Sequence, residues 1–150
     1  MTRRQIWFQN GSNFWVSVTG LALVYYNNFW KNPDPFSNIG SPWALIWHNA
    51  HILVAPLLVF AVGLIWRSHI WPKFVHLSLP RMGILKGLSG LMMLATLIPM
   101  VVTGALIQVT ADEAFRKIWI NAHVITGLIW VAFSILHVFK RNQLPPKPVD

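Results

Sequence analysis

Residues 118–139 read IWINAHVITGLIWVAFSILHVF, an apolar stretch of membrane length that contains two histidines, His123 and His137. An imidazole is costly in hydrocarbon, and an ionisable side chain inside a membrane segment marks a functional site by default. The two positions are fourteen residues apart. Fourteen residues of α-helix rotate by about 1400°, close to four whole turns, and rise by about 21 Å. Both rings are therefore expected on one helix face, one near each membrane surface.

Three other stretches are long enough to cross a bilayer, which takes about 20 residues. The first is the weakest, because it ends in two tyrosines and two asparagines. The four predicted spans are 12–30, 43–66, 88–109 and 118–139. The tail 141–150 is expected to be extended, since it contains three prolines. The sequence thus predicts a single all-α domain over 1–150, an integral-membrane four-helix bundle.

The composition excludes several other classes of protein. The chain is 55% hydrophobic and only 11% charged, well below the charged fraction of a soluble domain. Its net charge of +8 does not indicate a nucleic-acid partner, because the basic residues lie in short segments between apolar runs. The chain has no cysteine, which excludes disulfides, thiolate-bound clusters and covalent haem attachment through a C-x-x-C-H motif.

The distribution of lysine and arginine predicts the orientation of the spans, because these residues concentrate in cytoplasmic loops. If the N-terminus is cytoplasmic, nine basic residues lie inside and three outside. The nine are Arg3, Arg4, Arg67, Lys73, Arg81, Lys86, Lys140, Arg141 and Lys147, and the three are Lys31, Arg116 and Lys117. We therefore expect a multi-pass protein of the inner membrane with both termini in the cytoplasm.

In this topology the second and fourth spans run parallel, so their histidines fall on two levels. His51 and His123 are predicted to ligate an outer haem, and His69 and His137 an inner haem, because bundle cores build cofactor sites from facing helices. Eighteen residues separate His51 from His69. That is five turns and about 27 Å, against about 21 Å in the fourth span. Tilt, or unwinding around residues 67–69, is expected to absorb the difference.

Further residues have weaker assignments. His48 and His76 are alternative ligands, and together with Arg81 they are weak candidates for a quinone site. Gly63 and Gly127 would let a flat macrocycle approach a helix, although small residues also simply pack helices together. Arg67, Arg116 and Lys117 could pair with haem propionates, or could equally anchor the chain at the membrane surface.

These features resemble the membrane cytochrome b superfamily, and in particular the four-helix cytochrome b subunits of bacterial nickel–iron hydrogenases and formate dehydrogenases. The shared features are four spans, cytoplasmic termini and the His-x13-His spacing of His123 and His137. Members commonly take one ligand from the first helix, which has no histidine here. The second span must then supply both partners, as in the cytochrome b of quinol–cytochrome c reductases. The resemblance implies bis-histidine haem b and electron exchange between a quinone pool and a redox partner.

The expected function is that of a di-haem electron-transfer subunit in an oxidoreductase complex, embedded in membrane lipid. The outer loops are too small to bind a substrate alone, so a partner subunit is expected at the outer face. The acidic residues near that face are Asp34, Asp112 and Glu113. One alternative is a membrane anchor or assembly subunit without haem, whose histidines only form interhelical hydrogen bonds. A metal-ion carrier is less favoured, because transporters usually bind near the bilayer midplane.

Overall fold

The computed structural model of the chain describes residues 2–30, 41–77 and 84–142. Within these ranges the chain is helical and contains no strand. The elements are α1 (Arg3–Asn28), α2 (Pro42–Ile65), a π-helical segment (Trp66–Ile70), α3 (Trp71–Leu77), α4 (Ile84–Val109) and α5 (Glu113–Asn142). The predicted all-α class is confirmed for the described residues.

The starts of α1 and α5 have local sequence causes. Thr2 and Gln5 form a capping box. The backbone N–H of Gln5 donates to the Thr2 hydroxyl, and the backbone N–H of Thr2 donates to Gln5 Oε1 at 2.8 Å. At the start of α5, Asp112 Oδ1 accepts a hydrogen bond from the Phe115 amide at 2.9 Å. Side-chain acceptors of this kind satisfy amides that have no partner within the helix.

Three stretches are long and apolar enough to cross a membrane. They are Trp43–Val75, Leu88–Val109 and Glu113–Phe139, with mean hydropathies of 2.0, 2.1 and 1.9. The first has 33 residues, or about 50 Å of helix, more than a bilayer core needs. Helix α1 has 26 residues but is not among the three. Its many polar residues, which begin with Arg3, Arg4 and Gln5, lower its hydropathy, so its predicted crossing stays a prediction.

The chain divides into two compact units, Met1–Lys73 and Phe74–Asp150. In the first, α1 packs antiparallel to α2. The Phe8 and Phe60 ring centroids lie 6.1 Å apart, edge to face, and Gln5 Nε2 lies 3.5 Å from the carbonyl oxygen of Leu64. In the second unit, α4 packs antiparallel to α5. Buried aliphatic side chains such as Leu58, 2% exposed, fill the centre of the first pair.

Two local predictions differ from the structure, and a third agrees with it. His76, predicted to lie in a loop, belongs to α3. Helix α5 continues to Asn142, so residues 141 and 142 are helical, and the rest of the predicted tail lies outside the described residues. Unwinding was expected around residues 67–69, and the helix is π-helical over Trp66–Ile70. Arg81 and Asp34 lie outside the described residues.

Candidate functional site

In the first unit, His51 on α2 is held by two consecutive residues of α1. His51 Nδ1 lies 3.0 Å from Thr19 Oγ1. The Thr19 hydroxyl has one proton, which it donates to the carbonyl oxygen of Trp15 at 2.8 Å. It therefore accepts from His51, and Nδ1 carries the proton. The next residue is Gly20, and a Cβ added there would lie 3.1 Å from His51 Cε1.

In the second unit, His123 on α5 is held in the same way by α4. His123 Nδ1 lies 2.9 Å from the carbonyl oxygen of Met100 and 3.3 Å from Thr103 Oγ1. A carbonyl oxygen can only accept, so Nδ1 again carries the proton. Thr103 donates its own proton to the carbonyl of Pro99 at 2.6 Å. A Cβ added at Gly104 would lie 3.2 Å from His123 Cε1.

His137, four turns further along α5, has a looser contact of the same kind. Its Nδ1 lies 3.1 Å from Ser89 Oγ on α4. A Cβ added at Gly90 would lie 3.7 Å from His137 Cε1, which is ordinary van der Waals contact. The glycine is therefore needed less strictly here than beside His51 or His123.

The donor role of Nδ1 has a chemical consequence at His51 and His123. A neutral imidazole has one ring proton, so a proton on Nδ1 leaves Nε2 as the nitrogen with a lone pair. Metal-ligating histidines generally donate their second ring N–H to a carbonyl or another acceptor, which orients the ring and increases its basicity. The contacts on α1 and α4 therefore suit both rings to bind iron through Nε2.

Three hydroxyl–glycine dipeptides form these contacts, and none was identified from the sequence. They are Thr19-Gly20, Ser89-Gly90 and Thr103-Gly104. The two on α4 are fourteen residues apart, like His123 and His137 on α5. This matched spacing on two antiparallel helices is the signal that could have revealed them.

Among the described residues of the first unit, the position that would complete this pattern holds an apolar residue. Gln5 lies fourteen residues before Thr19, and Ile65 lies fourteen residues after His51. Ile65 is buried, so the position corresponding to His137 is apolar. His69 comes four residues later, half-buried in the π-helical segment. The predicted common face of His51 and His69 assumed an unbroken α-helix, and the π-helical segment interrupts that periodicity.

The other predicted site residues are not part of the three hydroxyl–glycine contacts. A Cβ added at Gly63 or Gly127 would meet nothing within 4 Å, so there is open space beside both. Arg67 and Arg116 are exposed, as cationic partners of a surface group would be, and His48 is half-buried. The structure gives the histidine contacts to Gly20, Gly90 and Gly104 instead.

The four predicted iron ligands divide equally between the two units. His51 and His69 belong to the first, and His123 and His137 to the second. Each predicted haem takes one imidazole from each unit, and this pairing stays a prediction. Among the described residues no group of three or more His, Cys, Asp or Glu side chains could hold a metal ion. A bis-imidazole haem needs only two such ligands.

Replacing Gly20 or Gly104 with alanine should displace the adjacent imidazole and break its Nδ1 hydrogen bond. The new Cβ would lie 3.1 or 3.2 Å from a rigid ring, closer than ordinary contact allows. Nitrogen NMR of ring-labelled histidine should show loss of the Nδ1–H tautomer at one histidine in each variant. Gly11→Ala is the control, because nothing lies within 4 Å of a Cβ there. Unchanged spectra for both variants would contradict the tight contact.

Comparisons of the chain with protein-family models, curated proteins and solved structures return no match. The resemblance to membrane cytochromes b therefore rests on residues of this chain alone, namely its predicted spans and the paired histidines of α5.

Proposed function

We propose that this chain is a di-haem membrane cytochrome b that carries electrons across a membrane between a quinone pool and a redox partner. In this proposal all four long helices span an inner membrane as a bundle, with both termini in the cytoplasm. His51 and His123 hold the outer haem b, and His69 and His137 hold the inner one. The chain acts as the electron-transfer subunit of a larger oxidoreductase complex.

The main support for the proposal is the contact of the histidines with hydroxyl–glycine dipeptides on the neighbouring helix. A histidine that only fills space between helices has no requirement for a particular tautomer. At His51 and His123, however, the neighbouring acceptors place the proton on Nδ1. This is the tautomer that an iron ligand bonded through Nε2 needs. Both residues lie in helices that are long and apolar enough to span a membrane.

The residues of this chain would orient and neutralise the cofactor. Bound haem would supply reversible one-electron chemistry, with a potential that depends on its axial ligands, hydrogen bonds and burial. Thr19 and Thr103 would hold the outer imidazoles at fixed ring angles. The open space beside Gly63 and Gly127 would admit the edge of a macrocycle. The exposed guanidinium groups of Arg67 and Arg116 are the proposed partners of the propionates.

The spacing of the ligands on α5 suits transfer from one membrane surface to the other. His123 and His137 are separated by fourteen residues, or about 21 Å of helix. This distance covers most of a hydrocarbon core of about 30 Å. Electrons that enter near one surface would therefore pass through the two haems and leave near the other surface.

A second candidate function is a membrane anchor or assembly subunit without haem. The same contacts favour it, because the bonds between Thr19 and His51, Thr103 and His123, and Ser89 and His137 all join two helices. Polar side chains commonly hold membrane helices together in this way. The two functions differ in whether the purified protein is coloured.

The purified protein should contain two haem b groups per chain. A pyridine haemochrome assay, calibrated against protein measured by amino-acid analysis, gives this ratio directly. A ratio near one would remove the inner site, where His69 lies outside the repeated pattern. A ratio near zero would rule out the cytochrome and favour the second candidate function, a membrane anchor or assembly subunit without haem.

Substitutions should separate the two levels spectroscopically. His51→Ala and His123→Ala should each remove the same component of the reduced-minus-oxidised spectrum, because both residues are assigned to the outer haem. His137→Ala should remove the other component. His48→Ala is the control, since this residue lies one turn from His51 and is not assigned as a ligand. If His48→Ala removed the outer component and His51→Ala did not, the ligand assignment would be wrong.

The proposed topology places the segment between α3 and α4 in the cytoplasm. The chain has no cysteine, so single cysteines can be introduced without background labelling. A cysteine at Ser78 should resist a membrane-impermeant maleimide in intact cells, whereas one at Thr110, between α4 and α5, should react. The reverse result would invert the topology and the order of the haems.

The redox partner is proposed to bind the outer face. Asp112 and Glu113 lie there in the proposed topology, and both are exposed. Charges of this kind mainly steer encounter and set orientation. Native mass measurement after gentle detergent extraction should find the chain with another subunit, and Asp112→Asn with Glu113→Gln should weaken the complex. A chain that purifies alone and reduces a soluble acceptor from quinol at full rate would refute the subunit role.

A further inference from the structure

An aromatic stripe on α1 leads directly away from two arginines. Arg3, Trp7, Gly11 and Trp15 follow one another at four-residue steps, and residues at this spacing share one face of a helix. Trp7 and Trp15 are 67% and 57% exposed, and the side chain of Arg3 is exposed as well. Arg4 is also exposed and begins the adjacent row, which continues to Phe8. The stripe therefore combines a cationic end with a long apolar surface.

A cavity of about 270 Å³ lies along this stripe, within the first unit. Residues of α1 and α2 line it, and all but one of the side chains are apolar: Trp7, Phe8, Gly11, Ser12, Trp15, Val54 and Leu57. From Trp7 to Trp15 the cavity follows about 12 Å of helix. Its shape and lining suit a flexible hydrocarbon chain better than a polar metabolite, because pockets for polar ligands place several polar groups around the ligand.

Among the described residues of the first unit, no acidic side chain compensates the charges of Arg3 and Arg4. The four acidic residues of the chain are Asp34, Asp112, Glu113 and Asp150, and none lies in 2–30 or 41–77. Helix α1 also has no acidic residue in its first turn. The positive end of the helix dipole therefore adds to Arg3 and Arg4. A negatively charged phosphate group would therefore complement the positive charge at the start of α1.

We propose that the first helix pair binds one anionic phospholipid, with its phosphate at Arg3 and Arg4 and an acyl chain in the cavity beside Gly11. Basic residues at a membrane surface attract anionic lipids, and exposed tryptophans favour the same interfacial region. The site requires the proposed membrane location but does not involve haem. Loss of lipid binding and loss of haem can therefore be observed separately.

Native mass spectrometry of the purified full chain, titrated with phosphatidylglycerol or phosphatidylcholine, tests this site. One phosphatidylglycerol should bind preferentially. Arg3→Gln and Arg4→Gln should each weaken it by about fivefold. Lys73→Gln is the matched control, because it removes one exposed charge that lies outside the stripe. An excess of inorganic phosphate should not displace the lipid, since the acyl chain supplies part of the binding.

A separate variant tests the part of the site that is proposed to hold the acyl chain. Gly11→Leu should place its side chain in the cavity, because Gly11 lines the cavity and a Cβ at this position meets nothing within 4 Å. It should abolish the preferential lipid, while Ala105→Leu, at an exposed position of α4, should not. Haem content should stay unchanged in both variants, and neither variant should lose thermal stability, since leucine favours a helix more than glycine does. Equal binding of both lipids, displacement by phosphate alone, or full binding by Gly11→Leu would each overturn the proposal.

Discussion

The hydrogen bond from an imidazole Nδ1 to an acceptor on the neighbouring helix is the interaction on which the proposed sites depend. In hydrocarbon a polar ring has no water to bind, so it must find its partner within the protein. At His51 the acceptor is the Thr19 hydroxyl, which donates its own proton to the carbonyl oxygen of Trp15. At His123 the acceptor is the carbonyl oxygen of Met100, with Thr103 Oγ1 at 3.3 Å. The glycine that follows each threonine lets the ring approach the partner helix. One contact thus fixes a tautomer, a ring position and the separation of two helices.

The two helix pairs use this contact unequally. In the second pair, Nδ1 of both His123 and His137 meets a hydroxyl of α4, and these hydroxyls, on Thr103 and Ser89, have the same fourteen-residue spacing. In the described part of the first pair, the contact of this kind is the one between His51 and Thr19, and the position corresponding to His137 is the buried Ile65. The inner ligand proposed for the first pair must come from beyond the regular helix. A π-helical segment occurs there, and such segments are frequent at functional sites.

The outer surfaces of the helices fit a hydrocarbon environment. Leu53 and Ile98 are 76% and 64% exposed, and similar side chains line α2, α4 and α5. Exposed apolar area on this scale marks contact with a membrane or another protein. Helix α1 differs, because its many polar residues lower its hydropathy and its aromatic stripe begins at Arg3. Its apolar side chains pack against α2, which is strongly apolar, through contacts such as that of Phe8 with Phe60.

The helical class, the three most apolar spans and the face shared by His123 and His137 could all be predicted from the amino-acid pattern. These properties depend on length, hydropathy and the period of a single helix, all of which are local. The contacts of the histidines with Gly20, Gly90 and Gly104, instead of Gly63 and Gly127, could be seen only once the helices were packed in pairs. The physical reason is that such contacts depend on the register between two packed helices, which no period within one helix specifies.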